Sequence, residues 1–411
     1  MDQILRAHAN TIISQAIAAV QPDEAVRRAL EGKTFPGRVI LIAAGKAAWP
    51  MAKAAHDVLG SRIDDGVVIT KHGHSLGTIG NFLCFEAGHP IPDRQSFEAT
   101  QFALDMVYDL EPEDTVLFLL SGGGSALFEA PLCRGIVLLH VTDQLLKSGA
   151  DIVQINTVRK RLSAVKGGRF AKLCEPAQVF SIVLSDILGD PLDMIASGPA
   201  CPDSSTCEQA LDIVKQYGLH IWDEIEVLLR QETPKELHNV TTHITGSVKE
   251  LCKAAADACR DLGYEPVILT DQLACQAKEA GSFLASIVKT HAGSGKKLAF
   301  IAGGETVVQV TGTGKGGRNQ ELALSAAPGI AGIPGAAVFS VGSDGTDGPT
   351  DAAGGYVDYT TADRLQSKNM RIAEVLANND AYHALQACDG LIITGPTGTN
   401  VNDVAVALLN P

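Results

Sequence analysis

Aromatic side chains, positive charge and long apolar runs are all scarce in this sequence. Phe, Trp and Tyr make up only 5% of the 411 residues, which predicts cores that are mainly aliphatic. The formal net charge is −14, and this excess of acid disfavours non-specific binding to nucleic acid or to anionic membranes. An anionic ligand therefore requires positive charge that is gathered locally.

Cysteine pairs and export signals are also missing. The nine cysteines are scattered and none forms a C-x-x-C motif, so we expect buried free thiols in a reducing compartment rather than disulfides or a zinc site. No run approaches the ~18 apolar residues of a membrane span. The first twenty residues lack the layout of a signal peptide and predict an amphipathic helix. We therefore expect a cytoplasmic protein.

What the sequence does contain is typical of an α/β enzyme with two or three domains. There are 41 glycines, and the hydrophobic fraction is 45%. Apolar runs that resemble buried parallel strands alternate with segments of helical periodicity. Residues 231–245 are polar and lose that periodicity, so we predict an amino-terminal domain over 1–240 and a smaller carboxy-terminal domain over 241–411.

The first candidate ligand residue is Lys46. The apolar run 39–44 ends in Gly45-Lys46, and a helix-like stretch follows it. A Walker A motif would need glycine at position 40 and Ser or Thr at 47, where Ile40 and Ala47 stand. A lysine at a helix start opposes the helix dipole, which favours a functional role for Lys46 over an idle one.

A second candidate is the Ser121-Gly-Gly-Gly-Ser125 loop, which follows the apolar run 115–120. Open α/β sheets bind ligands at the carboxyl ends of their strands, and successive glycine amides can form an anion nest. Phosphate or carboxylate binding is favoured there over a plain tight turn. Six cations follow within a short stretch and predict an electropositive wall, with Lys166 the most interesting of them: Arg159, Lys160, Arg161, Lys166, Arg169 and Lys172.

Acidic residues after later strands suggest a divalent cation. Asp186 and Asp190 follow the run 179–184, and carboxylates on a loop suit Mg²⁺, although helix capping or turn formation also explains either residue alone. Asp344 and Asp347 follow the run 336–341 and carry the same two interpretations. The histidines of residues 72–76 and 87–90 have no metal-ligand spacing, so a loop role or a substrate contact is favoured.

The glycine-rich stretch 301–322 organises the second half of the chain. We predict a strand over 306–311, an anion-binding turn, and a helix over 319–327 that begins beside Arg318 and Asn319. Gly312, Gly314 and Gly317 have the spacing of a dinucleotide fingerprint, but the next candidate ribose acid, Asp344, lies 30 residues after Gly314, where about 20 is usual.

The end of the chain is predicted to hold a short strand over 391–394 and a final helix over 401–409. Thr397 and Thr399 lie in the loop that joins them, where they either contact a ligand or tie the loop to itself. Small-residue loops thus follow five strands, and a polyanionic ligand accounts for them together.

Taken together, these motifs resemble the class II glycerate kinases, also called the glycerate 2-kinase or MOFRL family. The resemblance covers nearly the whole chain in order, and its matching stretches are AAGKAA (43–48), SGGGSAL (121–127), INTVRKRLSAVKGG (155–168), SDILGDPLDMIASGP (185–199), GGETVV (303–308), GKGGRNQELAL (314–324), SDGTDGPTDAAGG (343–355) and TGPTGTNVNDV (394–404). Two positions depart from the family pattern. Arg161 stands where His is expected, which adds charge near the proposed wall, and Ala381 stands where Ser is usual.

The resemblance implies two three-layer α/β domains, the first Rossmann-like, with the active site in the inter-domain cleft. It implies transfer of the ATP γ-phosphoryl group to the 2-hydroxyl of D-glycerate, with Mg²⁺. D-Glycerate and ATP are then the partners, and a homodimer is one oligomeric state that the sequence allows.

Roles follow for individual residues. The catalytic residues are Lys46, Arg318 and Asp186; the nucleotide phosphates are held by Ser121, Gly122, Gly123, Gly124, Ser125 and Lys166; the substrate contacts Lys46, Arg318 and Asn319; and the metal ligands are Asp186, Asp190 and Asp344. An NAD(P)H-dependent hydroxypyruvate reductase is the alternative enzyme, and a metabolite-sensing protein is a third interpretation, against which the number of cations and acids argues.

Overall fold

The computed structural model describes all residues from Met1 to Pro411 and divides into two compact units. The amino-terminal unit comprises residues 25–185 and 190–245, and the carboxy-terminal unit comprises residues 1–24, 186–189 and 246–411. The first helix, α1 (Gln3–Ala19), therefore belongs to the carboxy-terminal unit. The sequence-predicted division at 240/241 falls at the start of a strand of the amino-terminal unit's sheet.

The sheet of the amino-terminal unit has the strand order of a Rossmann fold, β3-β2-β1-β4-β5-β6. Its strands are β1 Val39–Ala44, β2 Asp65–Lys71, β3 Leu83–Ala87, β4 Thr115–Leu120, β5 Gln178–Leu184 and β6 Val240–Gly246. Neighbours among β1 to β5 pair in parallel. The order reverses between β1 and β4, so their carboxyl ends form the switch point at which such sheets bind ligands.

Helices cover both faces of this sheet. They are α2 Pro22–Leu30, α3 Ala48–Leu59, α4 Arg94–Met106, α5 Gly124–Leu127, α6 Gly135–Ser148, α7 Ile152–Arg161, α8 Arg169–Leu173, α9 Cys207–Gln216 and α10 Asp223–Leu229. Alternate side chains of a strand point to opposite faces. Leu117 and Leu119 of β4 accordingly pack in the core formed with α2 and α3, whereas Phe118 between them packs against Phe128 and Phe170.

The carboxy-terminal unit has a mixed six-stranded sheet in the order β11-β10-β9-β12-β8-β7. Its strands are β7 Glu265–Leu273, β8 Leu298–Gly304, β9 Ala336–Gly342, β10 Gly354–Asp358, β11 Leu391–Ile392 and β12 Asp403–Leu409. Only β7 and β8 pair in parallel, and the other neighbours are antiparallel. The sheet is therefore not a second Rossmann sheet.

Three layers are also clear in this unit. Its remaining helices are α11 Val248–Asp261, α12 Ala277–His291, α13 Arg318–Ile330, α14 Thr361–Ser367, α15 Ile372–Ala377 and α16 Ala381–Ala387. Ile301 of β8 lies in the core formed with α1 and α11. Its neighbour Phe300 lies in the core formed with α12, α13 and α16. The alternation places one helical layer on each face of the sheet, so the predicted three-layer α/β architecture is confirmed.

Two predicted elements of this unit are wrong. Residues 401–409 were expected to be a helix, but 403–409 form β12, which pairs with β8 on one side and β9 on the other. A short apolar run does not distinguish a buried helix from a buried central strand, and here the pairing partners decide. Residues 306–311 were expected to be a strand, but this segment contributes only one isolated bridge, from Val307 to Gln276.

The cysteines form no disulfide, as the sequence predicted. All nine cysteines are free thiols, and four of them are buried: Cys174, Cys252, Cys259 and Cys388. No helix is both long enough and apolar enough to cross a bilayer.

Candidate active site

The loops after β1 and β4 meet at the switch point of the amino-terminal sheet. The N–H of Lys46 donates to the carbonyl of Gly122 at 2.9 Å, and the N–H of Ala47 donates to Oγ of Ser121 at 3.0 Å. Gly45 adopts φ 129°, and a side chain there would collide with Ser121. Glycine is therefore required at 45, and the hydroxyl of Ser121 joins the two loops.

Lys46 presents a cation without a partner at this point. Its carbonyl accepts hydrogen bonds from Oγ1 of Thr70 and from Nδ1 of His74, each at 3.3 Å, which orient the residue. Its side chain is partly exposed, and its ammonium group has no hydrogen bond or ion pair within the chain. An ammonium group held in place without an internal partner is available to an anionic ligand.

Gly122 and Gly123 add backbone donors beside Lys46. Neither of their N–H groups donates a hydrogen bond within the chain. Gly123 has φ 86°, and a Cβ there would lie 2.9 Å from Cδ2 of His89 and 3.2 Å from Cγ of Lys46. The His89 imidazole and the Lys46 side chain thus both approach Gly123 closely. Gly124 packs against Ala196, and the Ser125 hydroxyl contacts that of Ser197 at 3.2 Å.

Lys166 supports this loop from inside the protein. It is fully buried, and its ammonium group donates to the carbonyls of Ser125 and Phe128 at 2.9 and 3.1 Å and pairs with Glu129 at 3.2 Å. Burial lowers the pKa of Lys166 to about 8, against the opposing effect of Glu129. Two hydrogen bonds and an ion pair thus engage the buried ammonium group inside the protein, which argues against the predicted contact with a nucleotide.

The predicted electropositive wall is wrong for most of its cations. Lys160 is buried against Asp203 at 3.1 Å, and Arg161 is completely buried, with hydrogen bonds to Ser205 and Glu232. Arg161 therefore adds no charge to an exposed surface, contrary to the sequence expectation. The charges are compensated internally because a buried cation without an acidic partner would be too costly to maintain.

Replacing Lys166 by methionine is expected to destabilise the protein by about 3–5 kcal/mol, because the buried carboxylate of Glu129 would lose its 3.2 Å pair with Lys166 and keep only the longer, 3.8 Å pair with Arg159. Urea unfolding followed by circular dichroism measures this change. The double variant Lys166→Met/Glu129→Leu should recover much of the loss, since it removes both charges. A single variant as stable as the parent would contradict the bracing role of Lys166.

Asp186 and Asp190 lie in the loop after β5, as the sequence predicted. The carbonyl of Asp186 accepts a hydrogen bond from Nδ2 of Asn402 at 3.2 Å. Asp190 has φ 51°, and its Oδ1 is buried without a hydrogen-bond partner. The structure contains no group of three or more His, Cys, Asp or Glu side chains arranged to hold a metal ion.

Arg318 lines a cavity of about 530 Å³ in the carboxy-terminal unit. Its Nε and Nη2 donate to the two carboxylate oxygens of Asp403 at 2.6 and 3.1 Å, and Nη1 donates to Glu305 at 2.7 Å. These hydrogen bonds and the negative charge of both acids raise the pKa of Arg318 in spite of its burial. The guanidinium group is therefore permanently charged and fixed in orientation at the cavity wall.

The amino end of α13 is occupied by an acid of the chain itself. The carboxylate of Asp347 accepts the backbone N–H groups of Asn319 and Gln320 at 3.1 and 2.9 Å. Burial raises the pKa of Asp347 to about 6. The predicted anion-binding helix start is thus filled from within the unit. Asn319 is buried, and its Oδ1 accepts the hydroxyl of Ser340, so its side chain does not face the cavity solvent.

The glycines of the dinucleotide-like pattern serve a different purpose. The N–H groups of Thr311 and Gly312 donate to Oδ1 of Asn379, and the N–H of Gly314 donates to the carbonyl of Asn378. Side chains at Gly312 or Gly314 would collide with residues 378–380. The amides that would bind a pyrophosphate are therefore engaged by a neighbouring loop, and no strand directly precedes the glycines.

Asp344 lies at the cavity, and the two threonines of the last loop are hydrogen-bonded to backbone carbonyls. Asp344 lines the same cavity, and its Oδ1 accepts the N–H of Thr346 at 2.9 Å. The hydroxyl of Thr397 donates to the carbonyl of Ser343, and that of Thr399 donates to the carbonyl of Val20. Of the two sequence interpretations, the contacts support the one in which both threonines tie the loop.

Three residues of these sites were not singled out from the sequence: Glu129, Asp203 and Asp403. Asp403 and Glu129 carry a usable signal, since each is an isolated acid beside an apolar run and such an acid must find a cation when it is buried. The partner itself is not readable from spacing. Arg318 and Asp403 are far apart in the chain. They meet because Arg318 is the first residue of α13, Asp403 is the first residue of β12, and the fold brings these two starts together.

Two family models match this chain in sequence order. Residues 8–230 match a domain of unknown function, DUF4147, and residues 298–403 match the MOFRL family.

Curated relatives and a solved structure match over nearly the full length. A D-glycerate 2-kinase of Thermotoga maritima is 53% identical over 97% of both chains, and a glycerate 2-kinase of Pyrococcus horikoshii is 41% identical over 97% of this chain and 96% of the relative. A crystal structure of a glycerate kinase from Thermotoga maritima superposes with a TM-score of 0.95 at 51% identity, covering all of both chains.

Proposed function

Because this chain belongs to the glycerate 2-kinase (MOFRL) family, we propose that it transfers the γ-phosphoryl group of ATP to the 2-hydroxyl of D-glycerate. The products are 2-phosphoglycerate and ADP. The enzyme is thus a phosphotransferase with an alcohol group as acceptor. Such reactions depend on positioning and on neutralising the charge of the transferred phosphoryl group, rather than on covalent intermediates.

The observation that carries this proposal is the partnerless ammonium group of Lys46 at the switch point of a Rossmann-ordered sheet. The unbonded N–H groups of Gly122 and Gly123 lie on the adjoining loop. Together they offer one positive charge and two backbone donors to phosphoryl or carboxylate oxygens. Ser121, Ser125 and Lys166 then act as positioning residues, since their polar groups hold this loop in shape.

Arg318 is proposed as the second cation of the reaction. A guanidinium group has five N–H donors, and the structure uses three of them on Asp403 and Glu305, which leaves two for a ligand. Its planar fork suits the bidentate recognition of a carboxylate or of a phosphoryl group. Asn319 supports this role indirectly, because its buried side chain helps to fix the start of α13.

Mg²⁺ is proposed as the cation that accompanies ATP. Asp186, Asp190 and Asp344 are the residues proposed to hold it, and the buried, partnerless Oδ1 of Asp190 fits an oxygen-seeking ion. Mg²⁺ commonly binds through only one or two carboxylates together with substrate phosphates, so a preformed cage of acids is not required. When bound, it neutralises negative charge on the phosphate oxygens. Asp186 is also proposed to orient the acceptor hydroxyl.

The purified protein should form ADP when it is mixed with D-glycerate, ATP and MgCl₂. The position of the new phosphate can be read by proton-coupled ³¹P NMR. Phosphorylation of the 2-hydroxyl gives a doublet, because one proton is three bonds away, whereas phosphorylation of the 3-hydroxyl gives a triplet. A triplet would overturn the assigned position, and the absence of ADP would overturn the kinase assignment.

A parallel reaction with hydroxypyruvate and NADH tests the alternative enzyme. The reductase hypothesis depended on the glycine pattern at 312–317, whose amides are engaged by residues 378–380. We therefore expect no loss of NADH absorbance in that reaction.

A further inference from the structure

His89 lies at the carboxyl end of β3, beside the ligand-binding groups proposed above. A Cβ on Gly123 would lie 2.9 Å from Cδ2 and 3.0 Å from Nε2 of His89, and 3.2 Å from Cγ of Lys46. The imidazole and the lysine side chain therefore flank the same glycine. A ligand held by Lys46 and the adjacent amides has the imidazole as its neighbour.

The imidazole of His89 is not engaged by the protein. Neither of its ring nitrogens has a hydrogen-bond or ion-pair partner. The two nearest histidines in sequence differ in this respect: Nε2 of His72 pairs with Asp93 at 2.9 Å, and Nδ1 of His74 contacts the carbonyl of Lys46. His72 and His74 thus have structural partners, whereas His89 is free to exchange a proton with a ligand.

The groups that face His89 favour its neutral form. Partial burial lowers the pKa of His89 below its ordinary value of 6.5, and the positive charges of Lys46, Lys71 and the nearby His74 lower it further. No acid acts on it in the opposite direction. A neutral imidazole at physiological pH can accept a proton, and it adds no further charge to the anion site.

We propose that His89 is the general base of the reaction and accepts the proton of the substrate's 2-hydroxyl as that oxygen attacks the γ-phosphorus. This inference rests on the proposed kinase activity. The new bond joins the 2-oxygen to phosphorus, and the bond that breaks joins phosphorus to the bridging oxygen, whose electron pair leaves with ADP. The proton remains on the imidazolium of His89 and is then released to water. Lys46 holds an anionic group of the ligand, and the neighbouring imidazole receives the proton.

The test compares the pH dependence of kcat/KM for the parent enzyme and His89→Gln, with D-glycerate and MgATP. Loss of a general base typically costs at least about 10²-fold, so we expect kcat to fall by about that factor with a much smaller change in KM. In the parent, kcat/KM should decline as the pH falls through the pKa of His89, because the base becomes protonated. This acidic limb should be missing in His89→Gln.

Two further variants separate catalysis from structure. His72→Gln removes a neighbouring imidazole that pairs only with Asp93, and we expect it to retain parental kcat and the acidic limb. His89→Ala should regain at least part of its lost activity when imidazole is added at pH 8. Parental kcat in His89→Gln, or an acidic limb that persists in it, would overturn the proposal. Inactivity of the parent enzyme with D-glycerate would instead refute the proposed function itself.

Discussion

Replacing Lys46 by methionine is expected to lower kcat/KM for D-glycerate by about 10³-fold, while the free energy of unfolding stays within about 0.5 kcal/mol of the parent value. The two effects separate because the ammonium group of Lys46 has no partner inside the protein, so folding loses no ion pair when it is removed. Phosphoryl transfer loses a positive charge from the proposed anion site. Steady-state kinetics and urea unfolding measure the two quantities.

Two other lysines of the same unit are the controls. Lys53→Met removes a surface cation of α3 that pairs with Asp57, and surface pairs of this kind contribute little, so activity and stability should both be retained. Lys166→Met should differ from Lys46→Met in its large loss of stability, because Lys166 is buried and paired whereas Lys46 is not. Parental activity in Lys46→Met would remove this residue from the mechanism and leave the proposal without its main observation.

Replacing Arg318 by alanine is also expected to lower kcat/KM by about 10³-fold, since a guanidinium group that stabilises phosphoryl transfer is worth at least that factor. Its more informative variant is Arg318→Lys, for which we expect a loss of more than tenfold. Lysine keeps the positive charge beside Asp403 and Glu305 but lacks the planar fork that holds two oxygens at once. Steady-state kinetics with varied D-glycerate, and then with varied MgATP, measures which substrate loses the contact.

Stability has to be followed in the same variants. Arg318→Ala leaves the carboxylate of Asp403 buried without its cation, which is expected to cost about 3–5 kcal/mol. Arg318→Lys avoids most of that loss, so reduced turnover in this variant reports on the chemistry. Near-parental turnover in Arg318→Lys would show that the fork is not used, and would remove Arg318 as the proposed bidentate ligand.

Most strands and helices of the fold were predictable from local patterns. The runs 39–44 and 115–120 are strands with those bounds, and the helix at 318–330 lies close to the predicted 319–327. The predictions fail where the local sequence pattern does not distinguish a helix from a strand. The apolar pattern of residues 403–409 fits a buried helix and a buried strand equally well. These residues form a strand because they pair with β8 on one side and with β9 on the other.

The ligand-facing groups were harder to predict than the fold. Cations of the 159–172 segment looked like a surface for an anion, because sequence shows charge but not the acids that compensate it. Glu129 and Asp203 are brought to these cations by tertiary packing. The glycines of 312–317 looked like a dinucleotide site for the same reason, since the loop 378–380 that occupies their amides is distant in sequence.

The sequence by itself determined the α/β class, the positions of most strands, the family resemblance, and the two cations Lys46 and Arg318 as candidates for phosphoryl transfer. Hydrophobic periodicity and the residue types of a loop are local properties, so they can be recognised in the sequence without knowledge of the tertiary structure. Only the tertiary structure decided which charges are available to a ligand. Lys46 has no internal partner, Lys166 is engaged by Ser125, Phe128 and Glu129, and the side chains of His89 and Lys46 both approach Gly123. Those distinctions depend on contacts between segments far apart in the chain, and such contacts exist only once the strands have taken their order in the sheet.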